Sequence, residues 1–439
     1  MASDTRLRSV PKRTPLSREE EARLESLDRR AFLRKSAAMA GGALAAGSVA
    51  STTRAAPLPV APATQEMGRP IEQWAYGSPS KFEKQFARRR TDVLTNRQNW
   101  SDWSMTPIQG QQGIVTPNGV IFERHHAGTP DIDPATHRLV VHGMVRQSLE
   151  FSMSDLMRYP SVSRFYFLEC SGNGLTNWVK TSSQTVQQSH GLLSGGQWTG
   201  IPVSWLLDEA GVQATGKWVL FEGADGSAHT RSVPLAKVMD DCLIVYGANG
   251  EMLRPENGYP LRAFVPGWEG NVSVKWLRRI KVSDEPWHFR SETARYTDPL
   301  PDGRWRQFSF EMECKSVITR PSGEMKLDRP GPVEIIGFAW SGNGRITAVD
   351  VSVDGGRTWQ QAELEAPVLD KMLTRFRYRW NWNGSPAVLQ SRAVDSTGYV
   401  QPTVADLQKT RFTSGFIQHH NGIQSWSISP AGEVKYALV

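Results

Sequence analysis

Cysteine is scarce: the 439 residues hold three, Cys170, Cys242 and Cys314. None sits in a CxxCH run, so no c-type haem is covalently held by this chain, and no CxxC pairs suggest zinc or an iron–sulfur cluster. Cys242 and Cys314 could pair in an oxidising compartment and leave Cys170 free, an option that spacing alone leaves open. Long apolar runs are missing as well. The segment Ser36 to Ala50 is built mostly of Ala, Gly and Ser, too short and too mild for a transmembrane helix, so no membrane span is expected. Charge of one sign is also lacking beyond the first 54 residues, which carry eleven Lys/Arg against six Asp/Glu and so supply +5 of the formal +7. The near-neutral remainder presents none of the basic surface that nucleic-acid binding requires. No internal repeat or low-complexity tract follows.

What the first residues do contain is an export signal. Asp28-Arg29-Arg30-Ala31-Phe32-Leu33-Arg34-Lys35 precedes the Ala/Gly run, and Ser51-Thr52-Thr53-Arg54-Ala55-Ala56-Pro57 follows it. A paired arginine, Phe-Leu and a weakly hydrophobic stretch form a twin-arginine signal, which directs the chain to the periplasm. That route carries folded proteins, often with a cofactor already inserted, so a cofactor is expected.

The remaining pattern divides the chain. Residues 1–56 are the leader, and 57–110 read as a linker or N-terminal arm, Pro-, Ala- and Gly-rich up to about residue 80. Residues 111–303 mix strand and helix periods. Arg138 to Val145 is a strand, and Val203 to Ala210 is a helix stopped by Gly211, which predicts an α+β domain. Residues 304–439 change character: Val333 to Trp340, Ile346 to Val353, Arg375 to Trp382 and Val388 to Val394 are short alternating strands. They are separated by turn formers such as Ser341-Gly342-Asn343-Gly344 and Asp354-Gly355-Gly356. This spacing predicts an immunoglobulin-like β-sandwich.

The chemistry concentrates on Phe165-Tyr166-Phe167-Leu168-Glu169-Cys170-Ser171-Gly172-Asn173-Gly174, an apolar strand running into a cysteine and a loop of small residues. A thiolate fixed at a strand end suits a soft metal. A buried cysteine that packs as a small hydrophobe is the commoner case, so the surrounding motifs decide. Phe122-Glu123-Arg124-His125-His126, Phe221-Glu222-Gly223-Ala224-Asp225, Asn257-Gly258-Tyr259-Pro260-Leu261-Arg262 and Ser273-Val274-Lys275-Trp276-Leu277 follow in order. Arg124, Arg262 and Lys275 are cations able to grip a phosphate or pyrophosphate. Each alone has a bland explanation: Arg124 and Arg262 as surface ion-pair partners, Asp225-Gly226 as a turn, His126 as a satisfied core histidine.

Taken together these segments resemble the sulfite oxidase family of molybdopterin enzymes. The resemblance implies a mixed α+β molybdopterin-binding domain followed by an immunoglobulin-like dimerisation domain, and one molybdenum per chain carried on a pterin. It implies Cys170 as the metal ligand, with Tyr296 and Arg124 at the reacting centre. Phe122, Arg124, His125, His126, Cys170, Asp225, Asn257, Arg262, Ser273, Val274 and Lys275 would hold the cofactor. Trp198 falls roughly where the family has a pocket-lining Trp. His125 stands where the family has Asn, and Asn257 where it has His.

Departures bear on substrate. Gly174-Leu175 stands where animal members have two arginines, and Arg411 is the remaining candidate for a C-terminal pocket arginine. The tail instead reads Gly415-Phe416-Ile417-Gln418-His419-His420-Asn421-Gly422. A less cationic pocket suits sulfur presented on something larger than sulfite. This resembles the sulfane dehydrogenase branch of bacterial Sox systems, in which persulfide sulfur rides on a carrier protein and a c-type cytochrome subunit takes the electrons. The implied assembly is a homodimer of the molybdenum subunit within a hetero-oligomer. A free-sulfite dehydrogenase is the alternative within the family, and an exported non-enzymatic binding protein is the alternative outside it.

Overall fold

The structure is a computed structural model that describes residues 80, 82–83, 86–90, 101–178, 185–411 and 418–438. The leader and most of the arm lie outside the described residues, as do Gly415, Phe416 and Ile417 of the tail. Among the described residues, no helix is long and apolar enough to cross a membrane.

Two sheets build the first half. In one, the strand order is Leu149–Ser152, Arg138–Gly143, Leu277–Ser283, Trp218–Gly223, Thr230–Pro234, with Arg138–Gly143 parallel to Leu277–Ser283 and the other pairs antiparallel. In the other, the order is Glu251–Met252, Leu243–Ala248, Leu193–Pro202, Val162–Glu169, and Arg262–Phe264 also pairs with Leu243–Ala248. The helix Val203–Ala210 buries Val203, Leu206, Leu207 and Ala210, the i, i+3, i+4, i+7 stripe read from its sequence. It ends at Gly211, whose φ of 70° is left-handed and costs least in glycine. Strand and helix side chains meet in a core that includes Val141, Leu207, Phe221, Ile244 and Ile280.

The second half is the two-sheet sandwich that the alternation predicts. Lys315–Arg320, Gly331–Trp340, Thr374–Trp382 and Glu363–Glu365 form one sheet. Gln360–Gln361, Ile346–Ser352, Ala387–Asp395, Ser425–Ile428 and Val434–Ala437 form the other. Val317, Ile335, Phe338, Phe376, Val351, Leu389 and Trp426 fill the space between them. That core also takes in Phe167 and Leu193 from the strands leading to and from the Cys170 loop. At Gly267 and Gly342 the backbones of the two halves touch so closely that a side chain at either would collide with a backbone oxygen of the other.

Residues 101–110, the end of the arm, are packed into the fold. Trp103–Met105 pairs with Glu123–Arg124, and Met105 and Ile108 are buried. All three cysteines are free thiols, so the pairing that spacing left open does not form. The reason is placement: Cys242 lies in the core of the first half and Cys314 in the sandwich core.

Candidate active site

The strand Val162–Glu169 pairs with Leu193–Pro202 along its whole length, Val162 opposite Gly200 and Glu169 opposite Leu193, so the position of Cys170 is set by the sheet. The cysteine backbone is held on both sides. Its N–H donates to the Leu192 oxygen at 3.0 Å, and its oxygen accepts from the Asn173 N–H at 2.8 Å. Glu169, just before it, is wholly buried and accepts from Trp340 Nε1 at 2.6 Å, Lys315 Nζ at 2.7 Å and Asn173 Nδ2 at 2.8 Å. The Cys170 thiol is half-buried, and the surrounding protein pushes its pKa up while Arg124 pulls it down. A metal binding there would displace the thiol proton.

One cavity opens at this strand end, and every residue picked out from the sequence as catalytic or cofactor-binding lines it. These are Phe122, Arg124, His125, His126, Cys170, Asp225, Asn257, Arg262, Ser273, Val274, Lys275 and Tyr296. They arrive from separate elements. Arg124 ends a short strand, Arg262 begins another, and Lys275 precedes the Leu277–Ser283 strand. Asp225 lies in the turn after Trp218–Gly223, and Tyr296 caps the turn Ser291–Arg295.

The cations are the unusual part. Arg262 is buried and donates to backbone oxygens, from Nη1 to Asn257 at 2.9 Å and from Nη2 to Ser273 at 2.8 Å, while its Nε has no partner. Burial brings its pKa down to about 9. Lys275 donates to the Glu256 oxygen at 2.9 Å, the Arg124 oxygen at 3.2 Å and His125 Nδ1 at 2.9 Å, and burial lowers its pKa well below the usual lysine range. Arg124 donates to the His125 oxygen. Among the described residues, none of the three forms an ion pair with a carboxylate. Gly258, at φ 112°, lets the chain turn where an added side chain would press on both Lys275 and Arg262. Cations answered by carbonyl dipoles and an imidazole, with one orphan N–H on the buried Arg262, are the donor set that a phosphate-bearing group fits.

Several side chains have their bonding settled within the protein. His125 Nε2 lies 2.8 Å from Glu123 Oε2, and that bond, helped by Ser104 and Arg88 and opposed by burial, brings the Glu123 pKa down to about 2. Asp225 accepts from the His229 N–H at 3.0 Å and from the Ser227 hydroxyl, so its carboxylate shapes its own turn as well as the cavity wall. Asn257 Nδ2 is 3.5 Å from the Phe122 oxygen, and Ser273 Oγ accepts from the Val265 N–H at 3.0 Å. Tyr296, buried, lies with its hydroxyl 3.0 Å from His126 Nε2, and burial pushes its pKa up to about 12.

Two expectations are corrected. Trp198 does not line the cavity; it is fully buried, donates to the Tyr166 oxygen at 3.1 Å and lies 5.6 Å beneath the Arg262 guanidinium. The family resemblance implied a wall position, whereas strand alternation turns it into the core. Arg411 is not a pocket arginine either, because it pairs with Asp298 at 2.7 Å and Glu313 at 2.8 Å. Residues missed in the sequence include His229, Asn271 and Trp276 on the wall and Arg231 behind it, 5.1 Å over the Tyr296 ring. Asp225-x-x-x-His229 was the available signal for the first; Arg231 sits within a strand and carries none.

Comparison with known proteins decides the class. Residues 126–290 match the oxidoreductase molybdopterin binding domain, and residues 306–418 match the Mo-co oxidoreductase dimerisation domain. The crystal structure of the sulfane dehydrogenase SoxCD from Paracoccus pantotrophus is 44% identical, with a TM-score of 0.83, over 87% of this chain and 97% of that one. This chain belongs to the sulfite oxidase family. Mitochondrial sulfite oxidase of Mus musculus is 35% identical over 329 residues, 68% of this chain and 60% of that protein. The NADH nitrate reductase of Ulva prolifera is 34% identical over 285 residues, 57% of this chain and 32% of that protein. The chain thus spans about 60% of the length of the mouse sulfite oxidase it matches. As a family member it carries a molybdopterin-binding domain and then a dimerisation domain.

Proposed function

We propose that this chain is the molybdenum subunit of a periplasmic sulfane dehydrogenase, which oxidises persulfide sulfur bound to a carrier protein and passes electrons to a c-type cytochrome subunit. The observation that carries the reading is the cavity itself. Cys170 and Tyr296 meet there with Arg124, Arg262 and Lys275, three cations that form no ion pair with a carboxylate among the described residues. Arg262, Lys275 and Arg124 would seat the pterin phosphate, with Asn257, Ser273 and Val274 shaping the floor and His125, His126, Asp225 and Phe122 the wall. Cys170 would hold the molybdenum. When bound, that group supplies two-electron oxidation of sulfur with an oxygen drawn from water. The protein's own part is to orient the sulfur, present the Tyr296 hydroxyl to the reacting group and keep the site positively charged.

The preference for a carrier-bound substrate rests on where the arginines are. Arg411 is held by Asp298 and Glu313, so it is not left to enclose a small dianion. The likeness to the Paracoccus enzyme supports the same choice. Oxidation of free sulfite is the second reading, favoured by the mouse sulfite oxidase likeness. The twin-arginine signal supports the periplasm, and the dimerisation domain supports a homodimer.

Two measurements test this. Elemental analysis of protein matured through its own export route should find about one molybdenum per chain, lost in Cys170→Ala with the fold retained. Metal retained in that variant removes Cys170 as ligand, and a colourless, metal-free wild type would favour a binding protein. Steady-state oxidation of carrier-bound persulfide and of sulfite, each with cytochrome c, then separates the two substrates. A higher kcat/KM for sulfite would reverse the assignment.

A further inference from the structure

His125 and His126 are consecutive on the cavity wall, and each has a cation at Nδ1 and an oxygen at Nε2. Lys275 Nζ lies 2.9 Å from Nδ1 of His125, whose Nε2 lies 2.8 Å from Glu123. An Arg295 guanidinium nitrogen lies 3.0 Å from Nδ1 of His126, whose Nε2 lies 3.0 Å from the Tyr296 hydroxyl oxygen. The second chain has a direction that follows from what each group can do. A guanidinium has donors and no acceptor, and it stays protonated in proteins. Nδ1 of His126 must therefore accept and carries no hydrogen. An imidazole bare at Nδ1 holds its hydrogen on Nε2. Nε2 then donates, the tyrosine oxygen accepts, and the hydrogen of Tyr296 is left over for a group in the cavity. Burial and the neighbouring Arg124, His229, Arg295 and Lys275 all keep His126 neutral, in agreement with this geometry.

We propose that Arg295 is a positioning residue: it fixes His126 as the Nε2–H tautomer and so commits the Tyr296 hydroxyl to donating into the cavity. The chain ends on a group that cannot take a proton, so it gives Tyr296 no path for shedding protons to solvent. His229, on the same wall, is held in the same way, its Nε2 2.9 Å from the Asn271 carbonyl oxygen, which can only accept. The tautomer assignment stands on geometry alone; its use in turnover rests on the oxidase function proposed above.

The test is nitrogen NMR of the full-length protein, purified with its bound cofactor and labelled with ¹⁵N in its histidine rings. The His126 signals are identified by their loss in His126→Gln. The expected wild-type pattern is a protonated Nε2 and a bare Nδ1. Arg295→Leu, at a half-buried position, should shift the pair toward the other tautomer, and Arg295→Lys, which still donates, should restore it. A protonated Nδ1 in the wild type, or an unchanged pattern in Arg295→Leu, overturns the proposal. Kinetics give a second readout. Arg295→Leu should lower kcat roughly tenfold, the scale of one misdirected hydrogen bond, and should add nothing in a Tyr296→Phe background. An equal loss in both backgrounds would cut the link to Tyr296. The NMR arm needs no turnover, so inactivity toward both sulfur donors would count against the proposed function and leave the tautomer result intact.

Discussion

Two sets of charged side chains, those of the sandwich side and those of the cavity, are built on different plans. On the sandwich side Lys315 meets Glu169 at 2.7 Å, and Arg411 meets Asp298 at 2.7 Å, each cation with its own carboxylate. On the cavity side Arg262 and Lys275 face carbonyl oxygens and a neutral imidazole. A paired charge is self-contained and does structural work. A buried cation answered only by dipoles keeps most of its field, which a bound anion can complete. The difference separates the part of the molecule that holds itself together from the part that waits for a ligand.

The largest effect is expected from breaking a pair. Lys315→Met leaves the Glu169 carboxylate buried with its charge unanswered and should cost about 3–5 kcal/mol of stability, read by denaturant unfolding. The double change Glu169→Gln with Lys315→Met should cost less than the single one. A single-variant loss below about 1 kcal/mol would show that the pair is not what secures the loop. Removing a cavity cation should do the reverse. Lys275→Met should leave the apoprotein within about 1 kcal/mol of wild type, because a desolvation cost disappears along with the charge. Its molybdenum and pterin content should fall on the order of tenfold, the scale of one lost charge-assisted hydrogen bond. Equal destabilisation by Lys275→Met and Lys315→Met would erase the distinction between the two sets.

The smallest effect is on pH dependence, and the two sides should slope in opposite directions. On the cavity wall, burial brings His229 down to about 4 and His126 to about 2 from the ordinary 6.5. Below pH 6.5 the unfolded chain takes up protons that the folded chain refuses, so apoprotein stability should fall from pH 6.5 toward 4 and beyond. His126→Gln should flatten that slope. His419, on the tail, behaves oppositely. Burial works against its protonation, but the adjacent Glu269 carboxylate outweighs burial and raises its pKa. Its contribution is complete below pH 6.5 and is lost as pH rises through the raised value. Melting temperatures across pH for wild type, His126→Gln and His419→Gln would show whether the slopes separate. Parallel profiles would not support them.

Most of the cavity was legible in the sequence because its residues come in short ordered segments around local devices: a strand end before Cys170, a glycine turn before Arg262, a cation at the head of a strand for Lys275. The sandwich was legible for the same reason, since period-2 alternation and turn formers are local. What the sequence concealed is pairing at a distance. Lys315 reads as an ordinary lysine at a strand start, and its partner Glu169 lies 146 residues away. Arg411 was the right kind of residue for a pocket, yet the carboxylates of Asp298 and Glu313 claim it first. Arg295 carries no signal in the sequence, and only the fold places it on Nδ1 of His126.

The carboxylate of Glu169 is answered by Lys315 and Trp340, both of which emerge from the ribosome long after Cys170. Until the sandwich has formed, the loop carrying the thiol has a charge it cannot bury with a partner. The site is therefore completed from its far end, and a chain truncated before Trp340 should be unable to retain metal even though it contains every residue that touches the cavity. In that arrangement the sandwich supplies the cation and the indole that answer the carboxylate next to Cys170.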